Sequence, residues 1–344
     1  MDFCETQAVA FPALADKYNA FSEDYSKKLW HQLSEKLSAF LNDPATLIGN
    51  NWQILYSGFI KNIESRLNPV VLASLVSRIG HSITDPAQSL ALFEEVLQAR
   101  TRLGAEASHC LDMDIVLVRL RLGQLAEAKL ALETAKERLP SLPQSETAVF
   151  SKYYKATAEY RKLVGPPQEF YKAGLMMLAY TPVKALLPEE AAALAADMAL
   201  ASVTGADIFN FGEVLATPIL GCLANTPNAW LQTLVRALHH GSIDEFNDVV
   251  DANRAAYFAQ PALANAHEVV KKKVVMLALV NIAFERGSND RTVRFSDIAA
   301  RAYVPLDQVE WVLMAAMSAG LLKGLIDQVR AAWGRGRAGW MCVK

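Results

Sequence analysis

Cysteine is scarce in this sequence, and neither sign of charge is in clear excess. The 344 residues include only Cys4, Cys110, Cys222 and Cys342, which lie far apart and form no C-x-x-C pair. Such thiols indicate a reducing compartment, the cytoplasm or nucleus, and we expect Cys110 and Cys222 to be buried. A formal net charge of −2 gives no overall field that would attract nucleic acid or an anionic membrane.

No apolar run is long enough to cross a bilayer, and no secretory leader is evident. The longest apolar-rich stretch, residues 269–284, contains three consecutive lysines and Asn281, so it is too short and too polar to span. Asp2 and Glu5 stand where a leader would be basic. With 52% apolar and 20% charged residues, the composition is typical of a folded soluble protein.

The motifs that carry catalytic or cofactor chemistry are also missing. There is no G-x-x-x-x-G-K-[ST] loop, no G-x-G-x-x-G after a strand, no H-E-x-x-H and no G-x-S-x-G. His239 and His240 are adjacent, so their side chains diverge by about 100° on a helix and cannot readily share a metal. Asp112 and Asp114 likewise face apart, which makes them a poor acid–base pair. We therefore predict no enzyme activity, no cofactor and no metal site.

Helical periodicity is what the sequence has in abundance. Apolar residues recur at three- and four-residue steps, in segments separated by proline, glycine, asparagine and aspartate. We predict one helix over residues 15–41, a helix capped by Asp85 with Pro86 as its first residue, and a helical hairpin around Gly123. Hairpins recur about every 35 to 45 residues, as in helical-repeat proteins. The predicted fold class is all-α, a degenerate TPR-like helical-repeat solenoid.

Residues 293–329 have a different pattern. Val293 and Phe295 alternate with polar neighbours, as in a short strand, and Ser296 is predicted to cap a helix that ends at Ala302. Pro305 then begins a second helix that Gly320 ends. The expected buried face of this helix comprises Leu306, Val309, Leu313, Ala316 and Met317.

A strand is predicted after that helix, over residues 321–329. Leu325 and Ile326 are expected to face inward, and Lys323, Asp327 and Gln328 outward. Strand, helix, turn, helix and strand is the order of a winged helix, so the solenoid is predicted to end in a winged-helix domain with a small β wing.

Winged helices serve both nucleic-acid binding and protein assembly, so charge must separate the two. A helix that reads a DNA groove needs Arg or Lys, yet residues 306–322 contain neither, while Asp307 and Glu310 are acidic. The residues favour a packed helix-turn-helix that reads no bases. A winged-helix nucleic-acid binder stays the alternative from a different class.

Six short motifs resemble one family. They are KKLWHQL at 27–33, RLNP at 66–69, TDP at 84–86, SKYY at 151–154, FNFGE at 209–213 and GLLKGLID at 320–327. Their order and spacing resemble the PCI-domain proteins, the helical-repeat and winged-helix scaffolds of the proteasome lid, the signalosome and translation initiation factors. The closer resemblance is to a proteasome lid subunit, and it extends from about residue 25 to residue 329.

The resemblance implies a non-catalytic scaffold in ubiquitin-dependent protein degradation. It implies a hetero-oligomer with other PCI subunits of the lid and a nearby ubiquitin receptor subunit, without nucleic acid or membrane. The wing strand would join a neighbouring subunit through its unpaired backbone groups. The expected interface is Leu321, Lys323, Gly324, Leu325, Ile326, Asp327, Gln328 and Val329. A signalosome or initiation-factor scaffold is the alternative within the same class.

We expect helical repeats over residues 1–165, the helical part of the PCI domain over 166–290, and the winged helix over 291–344, with a hinge at 287–290. The family pattern continues after Val329 with a second wing strand and a long helix, whereas three glycines occur here at 334, 336 and 339 and the chain stops at Lys344. We therefore expect an irregular wing hairpin that leaves Leu325 and Ile326 less covered, a short strand at most over 339–343, and poor incorporation into the lid.

Overall fold

Helices make up most of the chain, as the apolar spacing predicts. The computed structural model describes residues 2–43, 46, 50–98, 100–141, 147–285 and 292–334. Their contacts divide the chain into two units, residues 1–164 with 173–181, and residues 165–172 with 182–344. The all-α class with a small sheet is confirmed, whereas the expected division into three parts stays a prediction. The expected hinge at 287–290 and the strand at 339–343 lie outside the described residues.

The first unit is built from paired helices. They are α1 (Asp2–Ala10), α2 (Ala15–Ser26), α3 (Trp30–Asn42), α4 (Asn51–Leu55), α5 (Lys61–Ile63), α6 (Pro69–Ser82), α7 (Pro86–Leu97), α8 (Arg100–Arg121), α9 (Leu125–Arg138) and α10 (Thr147–Val164). Helix α11 (Pro167–Tyr180) follows and contributes to both units. The hairpin of α8 and α9 around Gly123 is confirmed, and so is the cap of α7, where Asp85 accepts a hydrogen bond from the Ala87 amide at 3.0 Å.

The single helix predicted over residues 15–41 is wrong. The backbone enters the left-handed region at Lys28 (φ 59°), which ends α2 and starts α3. The two helices then pack face to face, and Tyr18, Phe21 and Phe40 form an aromatic cluster with ring centroids 5.5 to 6.1 Å apart. Burial of these rings favours two packed helices over one continuous helix.

A charged cluster lies inside the first unit. Asp114 of α8 is buried, and it accepts a hydrogen bond from Nζ of Lys152 on α10 at 2.5 Å. Nε2 of His81, on α6, lies 3.1 Å from the other carboxylate oxygen. Nζ of Lys152 also donates to the Ser77 hydroxyl at 2.9 Å. The cluster thereby connects three helices through groups that are hydrogen-bonded to one another.

The second unit begins with helices and ends with the sheet. It contains α12 (Pro188–Thr204), α13 (Phe211–Ala216), α14 (Ala229–His240), α15 (Ile243–Ala252), α16 (Arg254–Ala259), α17 (Pro261–Glu285), β1 (Thr292–Arg294), α18 (Phe295–Ala302), α19 (Val309–Ser318), β2 (Leu325–Asp327) and β3 (Ala332–Gly334). The sheet is antiparallel in the order β1-β3-β2. Its last strand therefore lies in the middle.

The C-terminal elements form the predicted winged helix, with local corrections. Ser296 is not a cap, because α18 already starts at Phe295 and no side chain caps it. Leu306 is exposed rather than buried, since it lies in a 3-10 turn before α19. Val309, Leu313 and Ala316 are buried as predicted, and Gly320 ends the helix with φ 74°. These inward residues pack on α17 in one core.

The wing hairpin closes where an irregular chain was expected. Ala332–Gly334 forms β3, with Trp333 buried at 1% exposure in the core of the winged helix. Burying an indole stabilises the strand by more than the backbone freedom of one glycine costs. The expectation of an irregular hairpin is therefore wrong as far as Gly334, and residues 335–344 lie outside the described part of the chain.

Candidate protein-interaction surface

The predicted interface residues lie around β2, but they do not form one long strand. Only Leu325–Asp327 is extended and paired. Leu321 is buried after the end of α19, so its side chain does not line an exposed edge. Gln328 and Val329 belong to the turn that leads to β3. The continuous strand predicted over residues 321–329 is therefore wrong.

The inward placement of Leu325 is also wrong. Leu325 is 69% exposed, whereas Ile326 is half-buried and packs against the winged-helix core. Because side chains alternate along a strand, the inward position of Ile326 sends its two neighbours outward. Lys323, Asp327 and Gln328 are exposed as predicted. Val329, in the turn after the strand, is 97% exposed.

The register of the sheet defines which backbone groups of β2 face outward. The Phe295 amide donates to the Ala331 carbonyl at 2.8 Å, one step beyond the pair of Arg294 with Ala332. Since hydrogen-bonded and non-hydrogen-bonded pairs alternate in an antiparallel ladder, Trp333 directs its amide and carbonyl toward β1. Ile326, paired with Trp333 on the other side, then directs its own amide and carbonyl away from the sheet. Within the described residues, no strand pairs with that edge of β2.

Close packing holds β2 in place. A Cβ atom at Gly324 would lie 2.5 Å from Nε1 of Trp333, so only glycine fits where the chain enters the strand. At the other end, the Asp327 carboxylate accepts a hydrogen bond from the Arg330 amide at 3.0 Å, which stabilises the turn toward β3. Gln328 donates to the Glu310 carboxylate and thus connects the wing to the start of α19. Contacts at both ends of β2 therefore fix the position of its outward edge.

Sequence reasoning did not find Trp333, although its residue type was a usable signal. A tryptophan lies between alanine and glycine, shortly after a predicted strand. So large an apolar side chain is expected to be buried in a core. The glycines at 334, 336 and 339 favour the opposite expectation, an irregular chain. The structure shows that Trp333 positions β2 from the neighbouring strand, which makes it a supporting residue of the candidate interface.

The metal-ligating side chains and thiols of the described residues are a separate matter from the β2 edge. No group of three or more His, Cys, Asp or Glu side chains among them could hold a metal ion. His239 and His240 occupy the last turn of α14, and Nδ1 of His240 lies 3.0 Å from the Glu245 carboxylate. Of the thiols, Cys110 is buried as predicted, whereas Cys222 is only half-buried. In the part of the chain that the structure covers, no helix has the length and apolar character to cross a membrane.

Comparison with known proteins identifies the architecture. A family model described as PSD13 N-terminal repeats matches residues 17–235, and one described as PCI domain matches residues 240–331. The chain belongs to the PSD13 family. The PCI match contains α18, α19 and β2, so the PSD13 repeats are followed by a PCI domain whose end is the winged helix described above.

Named relatives of the PSD13 family align over nearly the whole chain. It is 32% identical to the 26S proteasome non-ATPase regulatory subunit 13 homolog B of Arabidopsis thaliana, over 96% of this chain and 86% of the relative. The subunit 13 of Dictyostelium discoideum is 30% identical over 95% of this chain and 86% of its own length. The 26S proteasome regulatory subunit RPN9 of Saccharomyces cerevisiae is 28% identical, over 93% and 83%. The predicted resemblance to a PCI-domain proteasome subunit is confirmed.

Proposed function

We propose that this PSD13-family chain is a non-catalytic scaffold subunit of the lid of the 26S proteasome regulatory particle, acting in the cytoplasm and nucleus. Its relatives are named as non-ATPase regulatory subunits of the 26S proteasome. The matches to PSD13 N-terminal repeats and to a PCI domain support the same assignment. We propose as partners the other PCI subunits of the lid and a nearby ubiquitin receptor subunit.

The outward edge of β2 is the surface that we propose for assembly. The observation that carries this proposal is the orientation of Ile326, whose amide and carbonyl face away from the sheet. An edge strand with such groups can be continued by a strand of another chain, which then gains main-chain hydrogen bonds. The exposed side chains of Leu325 and Val329 would add apolar contacts beside the new strand.

Replacement of Ile326 by proline tests this edge without removing a hydrogen bond of the ladder between β2 and β3. Proline removes the outward amide, while the hydrogen bonds between β2 and β3 use the flanking residues 325 and 327. We expect Ile326→Pro to abolish co-purification of a co-expressed neighbouring PCI subunit of the lid. The matched variant Ile326→Ala keeps the amide, loses a similar part of the core contact, and should recover the partner at wild-type stoichiometry.

A second proline variant separates loss of pairing from loss of fold. Leu325→Pro removes an amide that the internal ladder uses, so it should lower the thermal unfolding temperature of the winged helix. Ile326→Pro loses only the core contacts of its side chain, so it should unfold at a higher temperature than Leu325→Pro and close to Ile326→Ala. Recovery of the neighbouring subunit by Ile326→Pro at wild-type stoichiometry would show that β2 is not the assembly edge.

A further inference from the structure

The second helix of the winged helix exposes an apolar face opposite the one that it buries. With about 100° between successive residues, the positions opposite Val309, Leu313 and Ala316 are those of Trp311, Met314, Ala315 and Ser318. Trp311 is 72% exposed and Met314 is 40% exposed. These two side chains lie three residues apart, so they are neighbours on the helix surface. We call Trp311, Met314, Ala315 and Ser318 the α19 face.

The α19 face combines large and small side chains, which favours packing against a helix of another protein. Trp311 and Met314 offer large apolar surfaces, and Met adapts its shape to different partners. Ala315 and Ser318 are small and exposed, so the backbone of a partner can approach closely beside them. Exposed tryptophan is the residue type most enriched among the side chains that dominate binding energy at protein interfaces. Single exposed apolar residues are common on protein surfaces. The α19 face differs because two large apolar side chains, Trp311 and Met314, lie next to each other on one side of a helix.

Charge defines what kind of helix fits. Residues 302–322, all of them described, contain no Lys or Arg, whereas Asp307 lies in the 3-10 turn before α19 and Glu310 lies in the first turn of α19. Arg301, just outside, is engaged with the Glu285 carboxylate at 2.5 Å. A phosphate backbone would meet two carboxylates here, so this face disfavours nucleic acid. A cationic side chain would be attracted both by the carboxylates and by the face of the Trp311 indole.

We propose that the α19 face binds a basic amphipathic helix of a protein partner. Apolar side chains of that helix cover Trp311 and Met314, and its Lys or Arg side chains pair with Asp307 and Glu310. This site differs from the β2 edge in the groups that it uses, because it depends on side chains of a helix rather than on strand backbone. The inference does not rest on strand pairing through Ile326.

Direct titration of the full chain tests the chemistry of the face. The probe is a fluorescein-labelled synthetic helix of about four turns, built from Leu, Ala and Lys, and its counterpart has every Lys replaced by Glu. We expect fluorescence anisotropy to show that the chain binds the Lys peptide. The Glu peptide should bind at least about 10-fold more weakly. Trp311→Ala should lower the affinity for the Lys peptide by about 10-fold or more, as expected for a central interface tryptophan.

Matched variants exclude non-specific attraction. Leu130 of α9 is a comparably exposed apolar residue at 67%, and Leu130→Ala should bind the Lys peptide as the wild type does. The double variant Asp307→Asn with Glu310→Gln should reduce both the affinity and its dependence on salt. Ile326→Pro should retain peptide binding, so failure of the strand-edge proposal would be seen separately.

Two results would overturn the proposal. One is equal binding of the Lys peptide by the wild type and Trp311→Ala, with both unfolding at the same temperature. The other is tight, salt-dependent binding of a duplex of about 20 base pairs that Trp311→Ala abolishes, because the face would then serve nucleic acid. Since Trp311 is largely solvent-exposed, its replacement removes little buried surface, and the comparison of unfolding temperatures is informative.

Discussion

Gly324 and Trp333 are matched in shape across the wing hairpin. A Cβ atom at position 324 would come within 2.5 Å of the indole Nε1 and within 2.7 Å of the Gly334 carbonyl oxygen. Both contacts are shorter than packed atoms allow. The absence of a side chain at 324 therefore lets the buried indole and the backbone of β3 approach the strand that carries the proposed edge.

Gly324→Ala is expected to destabilise the winged helix by about 1–3 kcal/mol, the usual cost of forcing an extra methyl group into a packed site. Urea unfolding followed by tryptophan fluorescence would measure the change in midpoint. Gly221→Ala is the matched control, because a Cβ there meets nothing within 4 Å. Equal midpoints for Gly324→Ala and the wild type would show that the indole can move aside at little cost.

Lys152→Met is expected to cost about 3–5 kcal/mol of unfolding free energy, because it leaves the buried Asp114 carboxylate without its cationic partner. Lys155→Met, on the exposed side of the same helix, should change stability by less than about 0.5 kcal/mol. Chemical denaturation of the three proteins at pH 7 provides the comparison. Two indistinguishable variants would contradict a stabilising role for the cluster.

The pKa of the Asp114 carboxyl group leads to a prediction about acid unfolding. Burial alone would raise the pKa of its carboxyl group, but the charge of Lys152 and then the bond to His81 outweigh it and lower the pKa. A lowered pKa in the folded state contributes stability that is complete above about pH 4 and is lost as the pH falls further. Without Lys152 the pKa should rise, so acid unfolding of Lys152→Met, followed by circular dichroism, should begin at a higher pH than in the wild type.

The pKa of Lys273 predicts that stability also rises with pH on the alkaline side. Its side chain is buried, and Nζ donates to the carbonyls of Ser202 and Val203 at 3.0 Å each. Burial lowers the pKa of Lys273 to about 7, against a smaller raising effect of Asp207. Between pH 7 and the ordinary lysine pKa the unfolded chain therefore binds more protons than the folded chain, and stability rises with pH.

The measurement is the free energy of unfolding at pH 7 and pH 9. Lys273→Met should remove the part of the increase that Lys273 contributes, whereas Lys272→Met, at an exposed neighbouring position, should keep it. An identical pH dependence in both variants would mean that Lys273 titrates in the folded chain much as it does in water.

The purified protein is expected to retain no stoichiometric zinc and to leave ubiquitin chains uncut. The physical reason is the absence, among the described residues, of any group of three or more side chains that could hold a metal. Elemental analysis of the purified chain and a ubiquitin-chain cleavage assay give the result. One tightly held zinc ion per chain would overturn the interpretation of the histidines.

The sequence alone determined features that depend on neighbours along the chain. The cap at Asp85 and the left-handed turns at Gly123 and Gly320 all lie where local preference predicts them. Each of these features depends on backbone groups within a few residues, so the local sequence is sufficient to predict it. The buried stripe of α19 follows for the same reason, because helical spacing places Val309, Leu313 and Ala316 on one side.

Only the tertiary structure decided the features that join distant segments. His81, Asp114 and Lys152 lie on three different helices, and their types alone do not reveal that they meet. Likewise, β3 forms despite its glycine because it lies between β1 and β2 and buries Trp333 against α17 and α19. That pairing turns Leu325 outward and directs the backbone of Ile326 to the open edge. Strand register depends on non-local partners, so no local pattern in residues 321–329 could have specified it.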